Sequence, residues 1–221
     1  MTNIEENLKV IRDNLLSVKE KEDITIVAVS KKQSSQKIIE AIKNGQRIFG
    51  ENYLQEALEK KELLKQYDIE WHFIGPIQSN KCKLIGENFS WIHTIDRIKV
   101  AKRLNDAREH MSPVNICVQV NISRENTKSG ILIEDLNEFI NELKIYKKLN
   151  LRGLMSIPSA EADDQKQTTE FELLSDTFKL LKKQNKNIDT LSLGMSNDYM
   201  KAINYGANMI RLGSTIFGAR E

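Results

Sequence analysis

Three short segments carry residue types that could do chemistry together. Lys31 and Lys32 close an apolar, β-branched run, Ile24-Thr25-Ile26-Val27-Ala28-Val29-Ser30. Ser196-Asn197 follows Thr190 to Met195, and Gly213-Ser214-Thr215 follows Met209-Ile210-Arg211-Leu212. An exposed lysine has a pKa near 10.4, so only about one in 2,500 is neutral at pH 7. Burial beside other cations lowers that value and makes the amine a usable nucleophile, able to form a Schiff base with a carbonyl compound. Glycines, small hydroxyl residues and backbone N–H groups at a helix start suit a phosphate dianion. Each segment also has a plainer reading: a solvated lysine opening a loop, an ordinary Ser/Asn helix cap, a tight turn.

The elements that must position these residues alternate along the chain. Ile4, Leu8, Ile11 and Leu15 recur at helical spacing and predict a helix from about Asn3 to Glu22, opened by a Thr2/Glu5 capping box. The run ending at Ser30 reads as a strand covered on both faces. Further strands are predicted at Arg47–Glu51, Glu70–Gly75, Trp91–Asp96, Val114–Asn121, Leu151–Ile157, Thr190–Met195 and Met209–Ser214, with helical segments between them. Eight strands at roughly 28 residues per unit predict a single (β/α)8 barrel, in which the site lies at the C-terminal ends of the strands. An open doubly wound sheet is the rival fold. Glu40 to Gly50 echoes Lys201 to Arg211, each reading helix, glycine cap, strand. About seven residues follow the eighth strand, too few for a regular eighth helix. The N-terminal helix is expected to cover that gap, and one domain, 1–221, is expected to use the whole chain.

Composition narrows the function classes. The 221 residues are 40% hydrophobic and 29% charged, which is a globular composition with a core and not a disordered one. Lys plus Arg is 33 against 31 for Asp plus Glu, so charge makes no case for a nucleic-acid or membrane partner. No apolar run reaches membrane length, and Met1 to Glu6 lacks a basic n-region followed by an apolar h-region, so a cytoplasmic address is expected. Cys82 and Cys117 cannot build a disulfide framework or a metal site by themselves, and with no basic partner that the sequence places beside either thiol, a nucleophilic role is not expected. His72 and His93 lie in apolar strands without metal-ligand spacing and read as strand residues, so no metal site is expected. The adjacent Lys31 and Lys32 cannot be told apart by parity, because both faces of the first strand are apolar.

Nine segments in order resemble the YggS/PROSC family of pyridoxal 5′-phosphate homeostasis proteins. They are Val27 to Lys31, Phe49 to Glu56, Trp71 to Lys81, His93 to Asp96, Gln119 to Ile122, Lys128 to Gly130, Arg152 to Pro158, Leu191 to Asp198 and Arg211 to Gly218. The resemblance implies a barrel like the N-terminal domain of alanine racemase, with Lys31 holding pyridoxal 5′-phosphate as a Schiff base. It implies phosphate binding by Ser196, Gly213, Ser214 and Thr215, with Arg211 facing the pyridine nitrogen and Asn52 and Met155 lining the ring. Lys128 matches another family lysine near the site, and Gln78-Ser79-Asn80-Lys81 is expected on the cofactor side of the barrel. The family often carries Lys-Thr-Lys-Pro at the cofactor lysine. Here the run is Lys31-Lys32-Gln33-Ser34, so the second family lysine and the proline are absent.

Three functions follow as alternatives. The first, and the expected one, is a carrier for intracellular vitamin B6, a monomer without catalytic residues that supplies the cofactor to apo-enzymes. The second is a pyridoxal-phosphate-dependent amino-acid racemase or similar enzyme of weak activity. A two-base racemase needs a second acid/base group opposite Lys31. In alanine racemase a β-domain supplies it, and no room for that domain is expected here. The third is a Schiff-base aldolase acting on phosphosugars.

Overall fold

The structure is a computed structural model that describes residues 3–18, 24–159 and 163–218. Eight parallel strands close into a barrel in sequence order. The strands are β1 (Thr25–Val29), β2 (Ile48–Glu51), β3 (Glu70–Phe73), β4 (Trp91–Ile95), β5 (Val114–Val120), β6 (Leu149–Ser156), β7 (Thr190–Ser192) and β8 (Met209–Leu212). The helices are α1 (Ile4–Leu16), α2 (Ser35–Lys43), α3 (Leu54–Leu63), α4 (Cys82–Asn88), α5 (Ile98–Ala107), α6 (Leu136–Leu143), α7 (Asp164–Gln184), α8 (Tyr199–Asn204) and α9 (Ser214–Phe217). The (β/α)8 barrel expected from the alternation is therefore the fold. The ends of several elements move: β7 stops at Ser192, and α1 stops at Leu16. The Thr2 of the expected capping box and residues 19–22 of the expected helix lie outside the described residues. Asn3 caps α1, its side chain accepting from the Glu6 N–H at 3.0 Å.

The strands separate two cores. Ala28, Phe49, Phe73, Ile92, Leu154, Ile210 and Leu212 pack outward against the helices. Val27, Trp91, Cys117, Met155 and Met209 form a smaller cluster inside the barrel. Successive strand residues alternate faces, so this partition settles what the β1 sequence left open. Val27 and Val29 point inward, and Lys31, in the turn after β1, keeps to that side and lines the space at the strand ends; Ala28 and Ser30 take the opposite parity, and the exposed Lys32 does not line that space. The interior is tight at β2, where a Cβ on Gly50 would come within 2.8 Å of Val27 and 2.9 Å of Ile74.

The barrel seam lies between β8 and β1, which pair from Thr25–Met209 to Ala28–Leu212. The short α9 leaves this seam partly uncovered, and α1 lies over it as expected. Ile4, Leu8 and Ile11 are buried, and each is worth roughly 1.5–3 kcal/mol of apolar burial. The Asn7 side chain donates to the Ile216 carbonyl at 2.9 Å, and Asn14 donates to the Tyr199 hydroxyl at 3.1 Å.

The internal echo is one physical device used twice. Gly45 and Gly206 sit at φ +84° and +90° just after α2 and α8. In each, the N–H after the glycine closes onto the helix: Gln46 to Ala41 and Ala207 to Ala202, both at 3.0 Å. This is the double-bonded glycine helix stop, and it aims β2 and β8 into the sheet.

Candidate functional site

A cleft of about 350 Å³ opens at the C-terminal ends of the strands, between the start of the chain and its last two loops. Lys31 lines it, half-buried, from the turn that follows β1. That turn is closed by the Gln33 N–H donating to the Ser30 carbonyl at 3.0 Å. It places Lys32 at φ +60°, a left-handed conformation that costs a non-glycine residue roughly 1 kcal/mol.

Buried charge fixes the turn from outside the barrel. The Lys60 ammonium, on the inner face of α3, donates to the Ser30 carbonyl at 2.6 Å, to Glu51 at 2.7 Å and to Glu56 at 2.6 Å. The Ser30 hydroxyl donates to the same Glu51 oxygen at 2.7 Å, and the Lys32 N–H donates to Glu56 at 2.6 Å. Thus both neighbours of Lys31 are tied down. Burial pushes the Glu51 carboxyl above its ordinary value, outweighing the pull of Lys60 and the two hydrogen bonds.

Across the cleft stand Ser196, Gly213 and Ser214. Gly194, at φ +96°, turns the chain out of β7 against Tyr199, where a Cβ would meet backbone at 2.9 Å. Asp198 shapes the loop by accepting from the Met195 N–H at 2.6 Å. The Ser196 and Asn197 N–H groups take no acceptor among the described residues. The loop after β8 is joined to this one by the Thr215 N–H donating to the Ser196 hydroxyl at 3.3 Å. Two loops with free N–H groups and small hydroxyl side chains can hold an oxyanion.

The floor is cationic. Arg211 lines the cleft from β8 but is only 4% exposed. Its guanidinium donates to the Ser192 carbonyl and hydroxyl, both at 2.8 Å, and to the Ser156 carbonyl at 2.9 Å. Burial brings its pKa down to about 10, so it stays charged at neutral pH. Beside it the Asn52 side-chain oxygen is buried and has no donor among the described residues. A buried acceptor left without a donor costs roughly 1–3 kcal/mol. At this spot a ligand bearing a hydroxyl or N–H relieves that cost.

Of the residues expected at the site, Lys31, Asn52, Ser196, Arg211, Gly213 and Ser214 line this one cleft. Thr215 links its two loops and does not line it. Met155 is fully buried in the barrel interior beneath; from β6 it is Ile157, two residues on, that reaches the cleft wall. Lys128 lines an adjoining hollow of about 240 Å³ that shares Asn52, and it is paired to Glu125 at 3.0 Å. Ser79 and Asn80 face a different space, a groove of about 670 Å³ on the outside of the barrel between α4 and α5. Sequence reasoning gave Glu51 and Glu56 no role, although both lie in the Phe49 to Glu56 segment, and it missed Lys60 altogether. The only signal for Lys60 was its spacing of four from Glu56, which equally describes a solvated helix pair.

A lysine just after the first strand, facing a cup made by the loops after the seventh and eighth strands, defines a barrel of the alanine racemase type. The chain matches the family described as alanine racemase, N-terminal domain, over residues 2–221, and it belongs to that family. Its relatives within this class include the pyridoxal phosphate homeostasis protein of Escherichia coli strain K12, 44% identical over 230 residues, with 100% of this chain and 98% of the relative covered. The protein of the same name from Pseudomonas aeruginosa is 46% identical over 199 residues, covering 90% of this chain and 85% of that one. PipY of Synechococcus elongatus, solved with PLP bound, superposes with a TM-score of 0.88 at 31% identity, covering 98% of this chain and 100% of PipY. An alanine racemase of Clostridium difficile shares the fold, with a TM-score of 0.75 at 18% identity, and this chain spans 57% of its length.

Proposed function

We propose that this chain is a pyridoxal 5′-phosphate carrier of vitamin B6 homeostasis. It binds the cofactor at the barrel mouth and hands it to apo-enzymes, acting as a cytoplasmic monomer. The observation that carries this reading is the shared cleft: Lys31 faces the two small-residue loops across a space floored by Arg211. Relatives of 44% identity bear the homeostasis name, and PipY has been solved with PLP in it. Among the described residues no helix is long and apolar enough to cross a membrane.

When bound, the cofactor supplies a reactive aldehyde and an electron-withdrawing ring. Lys31 holds the aldehyde carbon through its amine. Ser196, Gly213 and Ser214 would hold the phosphate, with Thr215 tying their two loops together, and Asn52 would accept a hydrogen bond from the ligand. Met155 supports the floor from below. Arg211 has only donors and stays cationic, so it disfavours protonation of a ring nitrogen set against it. An unprotonated ring is a weaker electron sink, which suits holding over turnover.

The test is to incubate the purified chain with pyridoxal 5′-phosphate, reduce with borohydride and map the adduct. One cofactor mass on Lys31 is expected, lost in Lys31→Ala with the fold intact. No added mass, or mass on Lys32, overturns the reading. Steady exchange of Cα protons from L- or D-amino acids in deuterated water, over many turnovers, rejects the non-catalytic part of it.

A further inference from the structure

We propose that Glu70, on the opposite rim of the barrel from the cleft, positions Arg211 through a one-way file of hydrogen bonds running across the barrel interior. The file is continuous. Arg211 reaches the Ser192 hydroxyl at 2.8 Å, and Ser192 reaches His93 Nδ1 at 3.0 Å. His93 Nε2 reaches His72 Nδ1 at 2.9 Å, and His72 Nε2 reaches Glu70 at 2.7 Å. Five residues on four strands (β3, β4, β7 and β8) thus connect the two ends of the barrel. Ser192 and both histidines have no exposed surface.

The direction of every proton follows from the two ends. Glu70 is held ionised by His72, with Arg152 adding to the effect, and an ionised carboxylate only accepts. His72 Nε2 therefore carries the proton. Burial keeps both histidines neutral, so His72 Nδ1 is an acceptor and His93 Nε2 must donate to it. His93 Nδ1 is then an acceptor too, and the single Ser192 hydroxyl proton goes there. That leaves the Ser192 oxygen to accept from Arg211, which has no acceptor of its own. The opposite direction would require a protonated Glu70, and it would leave the Ser192 hydroxyl proton without an acceptor in the file while its oxygen takes donors from both His93 and Arg211. The file is therefore polarised, with a cation at the cleft end and an anion at the rim end.

Both ends are braced. Trp91 stacks on His72 with ring centroids 5.4 Å apart, and Arg152 lies 5.0 Å over the Trp91 ring while pairing with Asp189. At the cleft, the Ser156 and Ser192 carbonyls fix two edges of the guanidinium, and the file supplies a third acceptor. Glu70, His72, His93 and Ser192 touch no ligand-facing space and act as positioning residues for Arg211. The consequence for ligand binding rests on the cofactor reading above; the file itself does not.

The experiment has two arms. In the ligand-free chain, nitrogen-15 NMR reads the tautomers of His72 and His93 and the rotation of the Arg211 guanidinium. Both histidines are expected in the Nε2–H form, with slow Arg211 rotation. Glu70→Lys places a donor where the acceptor stood. It should switch His72 to the Nδ1–H form and release Arg211, as Ser192→Ala should from the near end. Glu70→Gln retains an acceptor and should restore the wild-type signals. In the second arm, pyridoxal 5′-phosphate affinity should fall about tenfold in Glu70→Lys and Ser192→Ala, as for one charge-assisted hydrogen bond, and recover in Glu70→Gln. An Nδ1–H histidine in the wild type overturns the file. Wild-type Arg211 signals and affinity in Glu70→Lys overturn the positioning role. A wild-type chain that takes no pyridoxal 5′-phosphate sinks the reading of the site, and the file is then judged on the first arm.

Discussion

The Lys60 ammonium donates to the carbonyl oxygen of Ser30 at 2.6 Å, one residue before Lys31. The bond comes from α3, outside the barrel, and governs a side chain that points inside it. Removing Lys60 leaves Glu51 buried beside no cation. Lys60→Met should therefore lower unfolding free energy by about 3 kcal/mol in urea titration. Adding Glu51→Leu should recover much of that loss, because an apolar pair can replace a buried ion pair. Cofactor attachment should remain slow in the double variant, since the turn bearing Lys31 stays untied. Full recovery of attachment would assign the network to stability alone.

Buried groups set opposite pH dependences. Burial lowers the folded-state pKa of His72 and His93 below the ordinary 6.5, so the unfolded chain binds more protons. Their contribution is present above pH 6.5 and is lost as pH falls. Glu51 is raised above 4.5, so its contribution is present below that value and is lost as pH rises through the raised pKa. In Glu51→Gln the acid-side loss of stability should steepen between these two values. Urea midpoints measured across that range read the effect directly; parallel curves for the variant and wild type would count against it.

Ser214→Asp sets a carboxylate on the loop facing Ser196. Like charge against a phosphate should weaken pyridoxal 5′-phosphate binding at least about tenfold. Pyridoxal without the phosphate should bind as it does to the wild type. Equal losses for the two compounds would place the phosphate elsewhere.

Lys32 takes φ +60° and turns an exposed side chain away from the cleft. Lys32→Gly relieves strain of about 1 kcal/mol in the folded turn and adds backbone freedom to the unfolded chain. The variant should keep stability within about 1 kcal/mol of the wild type and attach the cofactor at Lys31 as before. A loss of attachment would give the Lys32 side chain a role that its place outside the cleft denies it.

The fold was legible because eight apolar strand segments and their intervening helices left no other economical closure. The choice between Lys31 and Lys32 was less so. On β1 both faces are apolar, so the residues alone left Lys31 and Lys32 open and the family resemblance pointed to Lys31; in the structure Lys31 lines the cleft and Lys32 does not. The two loops across the cleft showed themselves through Ser196 and Gly213-Ser214, whose residue types serve backbone geometry as much as chemistry. Lys60 stayed hidden because a lysine four residues after a glutamate reads as solvated, and its burial depends on how α3 lies over β1 and β2. His72 and His93 read correctly as strand residues. Their pairing required the register of β3 against β4, which no local pattern contains.

The seam between β1 and β8 has one further consequence. Lys31 follows the first strand of the barrel, while Arg211 stands on the last strand and Gly213 and Ser214 follow it, and the two strands meet only when the ring closes. A ligand gripped from both sides spans that joint like a rivet. Its binding energy adds to closure by mass action. An open barrel would hold half a grip, so on the proposed reading ligand binding and closure of this joint are thermodynamically linked, each favouring the other.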